Sequence, residues 1–170
     1  MATSEPVSVL FVCLGNICRS TMAEGIFRSM IAQGPYQSKI AKVDSCGTAA
    51  YHSGSPPDHR TMDTLRENGI TDYKHRARKV TVNDFKNFDY IFAMDRDNLD
   101  DLQALSRRTE GKAQVMLFGE FAAAGGKAGE GAEEIEDPYY GGNEGFKVAF
   151  EQCRRFSGNF LREVFPGVEG

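Results

Sequence analysis

The chain has no tryptophan, six prolines and three histidines in 170 residues. Its apolar run near the amino terminus, Val9 to Leu14, falls far short of the roughly 20 residues that cross a bilayer. Met1 to Val7 lacks the basic region of a secretory signal. A cytoplasmic protein without membrane insertion is therefore expected. Positive charge is also in short supply: 20 basic against 24 acidic residues leave a net charge of −4. That balance excludes nucleic acid or an anionic membrane held by bulk charge, so any phosphate must be bound locally. No Cys-x-x-Cys occurs, and the histidines form no ligand pattern with the four cysteines, so neither a metal nor another cofactor is expected. In a reducing compartment Cys13, Cys18, Cys46 and Cys153 are expected as free thiols.

The composition present is that of a globular protein, 41% hydrophobic and 26% charged. A single domain over 1–170 buries roughly 70% of the surface of its unfolded chain, enough to fold without staples. Val7 to Cys13 reads as a buried strand ended by Gly15 and Asn16. Thr21-Met22-Ala23-Glu24 has the form of a capping box, and apolar residues recur at helical spacing to Gly34-Pro35. Further strands are expected over Ile40–Ser45, Phe88–Met94 and Ala113–Phe118. Helices are expected from about Pro57 to Asn68, Asn98 to Arg107 and Asn143 to Val164. This alternation implies an α/β fold of three layers, a four-stranded parallel sheet with helices on both faces. Gly119 to Gly142 is the longest irregular stretch, and its Ala/Gly tract at about 122–131 reads as a flexible insertion. Gly126-Lys127 is no nucleotide loop, because Ala128 stands where a serine or threonine is required.

In such a sheet the binding crevice lies beyond the carboxyl ends of the strands, which directs attention to Cys13–Ser20, Ser45, Asp95 and Asp137. Cys13 and Arg19 are separated by five residues at a strand-to-helix junction, a spacing that is weak alone but well placed. The loop Leu14, Gly15, Asn16, Ile17 and Cys18 can curl so that its N–H groups converge where the helix dipole also favours an anion. Gly15 and Asn16 tolerate the positive φ such a curl demands. Arg19 offers a bidentate fork to phosphate oxygens, the same field favours the thiolate of Cys13, and Ser20 can donate its hydroxyl to that sulfur. The competing reading of Cys13 is a small buried hydrophobe at a strand end. Cys153 and Cys46 are read as packing residues, and Cys18 is near enough in sequence to Cys13 for a disulfide.

A leaving oxygen needs a proton, from Asp137 or Asp95. Asp95 reads better as a helix cap, whereas Asp137 lies on the long loop, where its bland alternative is a turn residue before proline. Tyr139 and Tyr140 are either ordinary surface or core aromatics or walls for an aromatic substrate ring. The basic run Lys74 to Lys79 reads as solvated surface, except that His75, with Ser45, is a candidate partner for a strained Asn16.

Taken together, Val-Cys-Leu-Gly-Asn-Ile-Cys-Arg-Ser at 12–20, Asp-Ser at 44–45, Pro-Pro-Asp at 56–58, His-x-Ala-Arg at 75–78, Ala-Met-Asp at 93–95 and Asp-Pro-Tyr-Tyr-Gly at 137–141 resemble the low-molecular-weight protein tyrosine phosphatases. The resemblance implies a cysteine-dependent phosphatase acting on phosphotyrosine proteins and small aryl phosphates, inhibited by phosphate-like oxyanions. It implies Cys13 as nucleophile, Arg19 as phosphate ligand and Asp137 as general acid. It also implies Ser20, Asn16, Ser45 and His75 in support, and Tyr51, Tyr139 and Tyr140 lining the cleft. The tract before Asp137 departs from the family pattern in length. Rival readings are an arsenate reductase of the same fold, a protein-arginine phosphatase and a non-catalytic phosphotyrosine-binding module. The first is disfavoured because no cysteine occurs between Asn83 and Arg108, and the second because Ile17 stands where threonine is the pattern. Retention of Cys13, Arg19 and Asp137 together disfavours the third.

Overall fold

Strand β1, Val7–Cys13, is buried along its whole length, and its alternate side chains enter two different cores. Val7, Val9, Phe11 and Cys13 face one, while Leu10 and Val12 face the other. A strand buried on both faces needs helices above and below it. The computed structural model, which describes residues 5–123 and 131–168, supplies them. β2 (Ile40–Gly47), β3 (Tyr90–Ala93) and β4 (Gln114–Leu117) complete a parallel sheet in the order β2-β1-β3-β4. The chain passes from β1 outward to β2, then returns across β1 to β3. The switch in direction therefore opens a crevice at the carboxyl ends of β1 and β3.

Helices α1 (Arg19–Gln33), α2 (His59–Glu67) and α5 (Asn143–Val164) close the first core. Helix α4 (Arg96–Ser106) covers β3 and β4 on the other face, together with a short α3 (Asp84–Asn87) that inserts Phe85. The first core is built on phenylalanine. Phe92 of β3 meets Phe118 at 5.1 Å, Phe160 at 5.3 Å and Phe11 at 5.8 Å between ring centroids. No helix among the described residues is long and apolar enough to cross a membrane.

The observed fold class is the expected one, and α5 has the expected ends. Three local expectations are corrected. Thr21–Glu24 is not a capping box: α1 begins at Arg19, Thr21 lies in its first turn and its hydroxyl donates to Ile17 O and Cys18 O. α2 begins at His59 rather than Pro57, because Asp58 caps it by accepting the Arg60 N–H at 2.8 Å. β3 is shorter than Phe88–Met94, since Phe88 terminates α3 and packs in the second core. Of the Ala/Gly tract, 124–130 lie outside the described residues. The return of the chain is tied down beyond it: Glu133 N–H bonds Gly119 O at 3.1 Å, and Ile135 N–H bonds Met94 O at 2.8 Å. A side chain at Gly119 would collide with the Glu133 backbone, so this approach requires glycine.

Truncating Phe92, fully buried at the centre of the aromatic core, should cost about 3–5 kcal/mol by cavity formation. Urea unfolding of Phe92→Ala should show a lowered midpoint at unchanged slope. A loss below about 1 kcal/mol would mean the rings repack around the gap.

Candidate active site

Loop 14–18 joins the carboxyl end of β1 to the first turn of α1. Among the described residues, the N–H groups of Leu14, Gly15, Ile17 and Cys18 reach no protein acceptor, whereas Asn16 N–H points at Cys13 Sγ, 3.3 Å away. The curl depends on one strained residue. Asn16 has φ 58°, the only positive φ at a non-glycine position among the described residues. Gly15, expected to share that strain, does not adopt a positive φ; its lack of a side chain instead admits the His52 ring, which would lie 2.9 Å from a Cβ. Gly47 does the same for the β2 end, where a Cβ would meet Leu14 O at 2.6 Å.

Asn16 is held on four sides. Its Nδ2 donates to Ser20 Oγ at 2.8 Å and to Ser45 Oγ at 3.0 Å. Its Oδ1 accepts from Arg78 N–H at 3.1 Å and His75 Nε2 at 2.8 Å. The Arg78 N–H can only donate, which settles which end of the amide is oxygen and places a proton on His75 Nε2. The consequence runs outward in both directions. Ser20 accepts from Asn16, so its own hydrogen is left for Cys13 Sγ, 3.0 Å away. Ser45 accepts likewise and donates to the buried Glu24 carboxylate at 2.7 Å. Cys13 thus sits as acceptor of a hydroxyl and a backbone N–H, the surroundings of a thiolate.

Arg19 is 3% exposed. Its Nη1 is fully engaged, donating to Asp95 Oδ2 at 2.6 Å and Ile135 O at 3.0 Å. Among the described residues the opposite edge is free: Nε is buried without a hydrogen-bond partner, and Nη2 has only an ion pair with Asp137 Oδ2 at 3.7 Å. A planar fork with one edge anchored and one edge open in a cleft fits a tetrahedral oxyanion. Burial opposes the charge on Arg19, but Cys13 and Asp95 outweigh it and hold the guanidinium's pKa above its ordinary value. The cleft is lined by Cys13, Arg19, Ile17 and Asp137, with Tyr51, His52, Tyr139 and Tyr140 around its mouth. Tyr51 and Tyr140 stand 76% and 94% exposed. Tyr139 and Tyr140 pack edge to face at 4.9 Å.

Every residue expected for the site is brought to this crevice or to the network behind it. Asp95 caps α4, accepting Asn98 N–H at 2.8 Å, and it also anchors Arg19, a second duty its sequence position did not announce. The basic run 74–79 is not uniformly solvated: Arg78 binds both Asp84 oxygens at 3.0 Å and Asp44 at 3.1 Å. Glu24 and Tyr73 also belong to this network, although no local motif marks them. Tyr73 donates to Glu24 at 2.7 Å, and Arg28 pairs with its other oxygen at 2.7 Å. A buried glutamate facing a serine is a signal that a capping pattern concealed. Burial pushes the thiols of Cys46 and Cys153 well up, in keeping with packing roles. Burial, then Asp58, does the same to Cys18, which remains a protonated thiol beside Cys13.

One trio among the described residues has metal-ligand proximity: Glu24, Asp44 and His75, with donor atoms within 4.8 Å of one another. The Glu24 oxygen concerned already accepts from Ser45 and Tyr73, and the outer oxygens of both carboxylates are paired with Arg28 and Arg78. These ligands are committed to supporting the loop. Burial pulls the His75 imidazole below its ordinary value, against the opposing pull of the two carboxylates.

The family profile described as "Low molecular weight phosphotyrosine protein phosphatase" matches residues 8–166. The phosphotyrosine protein phosphatase of that description from Schizosaccharomyces pombe is 48% identical over 161 residues, covering 95% of this chain and 99% of that protein. A protein tyrosine phosphatase from Entamoeba histolytica, solved with Hepes in its active site, superposes with a TM-score of 0.78 at 34% identity, covering 92% and 96% of the two chains. A Drosophila arginine phosphatase superposes with a TM-score of 0.79 at 33% identity, covering 91% and 96%.

The direction of the Asn16 network is testable at Ser20. Alkylation of Cys13 by iodoacetate at mildly acid pH should slow about tenfold in Ser20→Ala, the lower end for loss of a hydrogen bond to a charged group. An unchanged rate would show that the Ser20 proton does not lie on the sulfur.

Proposed function

From membership of the low molecular weight phosphotyrosine protein phosphatases, a family of hydrolases to which this chain belongs, we propose that it hydrolyses phosphotyrosine in proteins, and small aryl phosphates, through a phosphocysteine. The observation that carries the reading is Arg19 Nε, a buried donor without a partner at the edge of a cleft floored by Cys13. The open edge of Arg19 and the unpartnered loop amides take the three non-bridging oxygens. Cys13 Sγ attacks phosphorus as the phosphorus–phenolate bond breaks, and Asp137 gives its proton to the departing oxygen. Water then attacks the phosphocysteine, Asp137 takes the proton back, and Ser20 stabilises the departing thiolate. Asp137, which lines the cleft, is preferred to Asp95, which does not line it and spends its oxygens on Arg19 and the α4 cap.

Ile17, Tyr51 and Tyr139 give the cleft an apolar wall suited to a phenyl ring. This favours phosphotyrosine over the phosphoarginine suggested by the Drosophila neighbour. Cys18, a buried thiol in the same loop, supports a redox guard: peroxide oxidises Cys13 to a sulfenic acid, and Cys18 displaces water to close a disulfide.

Cys13→Ser should abolish release of phosphate from phosphotyrosine. Asp137→Asn should slow phenyl phosphate at least tenfold, within the ~10² to 10⁴ range for loss of a general acid. A smaller loss would reassign the acid to Asp95. A chelator should leave the wild-type rate unchanged, and faster turnover of phosphoarginine peptides than of phosphotyrosine peptides would overturn the substrate assignment. Activity lost to mild peroxide should return with dithiothreitol more completely in the wild type than in Cys18→Ser, whose unguarded sulfenic acid is open to irreversible over-oxidation; equal recovery in both would remove Cys18 from the guard role.

A further inference from the structure

The loop that carries Asp137 has few attachments. Residues 136–142 run between Ile135, bonded to Met94 O, and the start of α5 at Asn143. Within the loop the bonds are local: Tyr139 N–H on Asp137 Oδ1 and Gly141 N–H on Pro138 O, each at 3.1 Å. Besides the Gly145 N–H of α5 on Gly142 O at 3.3 Å and the Arg19–Asp137 ion pair at 3.7 Å, one hydrogen bond among the described residues reaches 136–142 from another element. It is donated by Arg60 Nη2, in the first turn of α2, to Tyr139 O at 3.0 Å. The Arg60 guanidinium also lies 5.5 Å from the Tyr139 ring centroid and 4.7 Å from that of Phe146, within cation–π range of both.

The same turn of α2 is bonded to the phosphate loop. Arg60 Nε and Nη2 each hold an oxygen of Asp58 at 3.0 Å. Asp58 N–H donates to Ile17 O at 2.8 Å, and Thr61 Oγ1 donates to Cys18 O at 3.3 Å. The start of α2 is therefore a brace with one end on the anion cradle and the other on the acid loop. Arg60 itself is not among the residues lining the cleft.

We propose that Arg60 is a positioning residue for the general acid: by clamping Tyr139 to the cap of α2, it sets the distance between the Asp137 carboxyl and the oxygen leaving the phosphorus. The inference rests on the proposed role of Asp137. Its force comes from geometry, since displacing a reacting group by an ångström can cost orders of magnitude in rate. A displaced acid penalises only substrates whose leaving oxygen needs the proton, and this separates positioning from a general structural role.

The test compares kcat/KM, which reports steps up to phosphocysteine formation, for phenyl phosphate and for p-nitrophenyl phosphate, whose leaving group needs little protonation. Arg60→Met should lower the value about tenfold for the former and less than about threefold for the latter. Inhibition by inorganic phosphate should be unchanged, reporting an intact cradle. In an Asp137→Asn background Arg60→Met should add less than about twofold, because the two residues act through one step. Arg60→Lys, which keeps the charge but cannot span Asp58 and Tyr139 with a planar fork, serves the same comparison if the methionine variant does not fold. Equal losses on the two substrates, or a full further loss in the double variant, would overturn the positioning role. If Asp137→Asn fails to discriminate the substrates, the acid assignment falls and takes this role with it. If Asp137→Asn discriminates and Arg60→Met does not, the positioning role alone falls.

Discussion

The left-handed backbone at Asn16 is the constraint on which the site depends. A non-glycine residue in that region costs of order 1 kcal/mol or more and persists only where its surroundings over-determine it. Here the side chain is bonded at both ends of its amide, to two hydroxyls on one side and to a backbone N–H and an imidazole on the other. Those bonds hold the curl that leaves the neighbouring amides pointing outward. They also assign protons. Because Arg78 N–H cannot accept, the amide cannot flip, and because both its hydrogens are used, Ser20 and Ser45 must direct theirs to Cys13 and Glu24. The strained backbone and the hydrogen bonds received by Cys13 Sγ thereby depend on the same few contacts.

An acidic chain that handles a dianion needs its positive potential focused rather than spread. The structure achieves this by engaging carboxylates with arginines in fixed directions. Asp95 and Ile135 O take one edge of Arg19, so that the remaining edge faces the cleft with its charge intact. Glu24 and Asp44 face His75 while their outer oxygens are neutralised by Arg28 and Arg78. Arg60 stands outside the cleft and is paired with Asp58, so it places no further unpaired charge at the cleft.

Much of this was legible in the chain. The strand, the loop and the helix around Cys13 are contiguous, so their chemistry and order could be read directly, and the long stripe of Phe146 to Val164 marked α5 to its last residue. Helix starts are less legible. Thr21 and Glu24 have the spacing of a capping box, yet burial of both diverted the hydroxyl to Ile17 O and Cys18 O and the carboxylate to Ser45 and Tyr73. A tertiary partner outweighed a local preference worth about 1 kcal/mol. Arg78 was hidden in a basic run for the same reason: its partners, Asp44 and Asp84, lie on different elements.

The sequence by itself determined which chemical groups stand at the carboxyl end of the first strand, since a thiol, a curled loop and a guanidinium within eight consecutive positions need only local geometry to meet. It also determined the parallel layered fold, through alternating strands and helices too apolar to leave exposed. The tertiary structure alone decided how those groups are aimed. Of the four bonds that orient Asn16, three span 29, 59 and 62 residues, the anchor of Arg19 spans 76 and the hydrogen bond from Arg60 spans 79. Hydrogen bonds are directional and are donated or accepted one partner at a time, so the direction of each proton depends on neighbours that only the fold assembles.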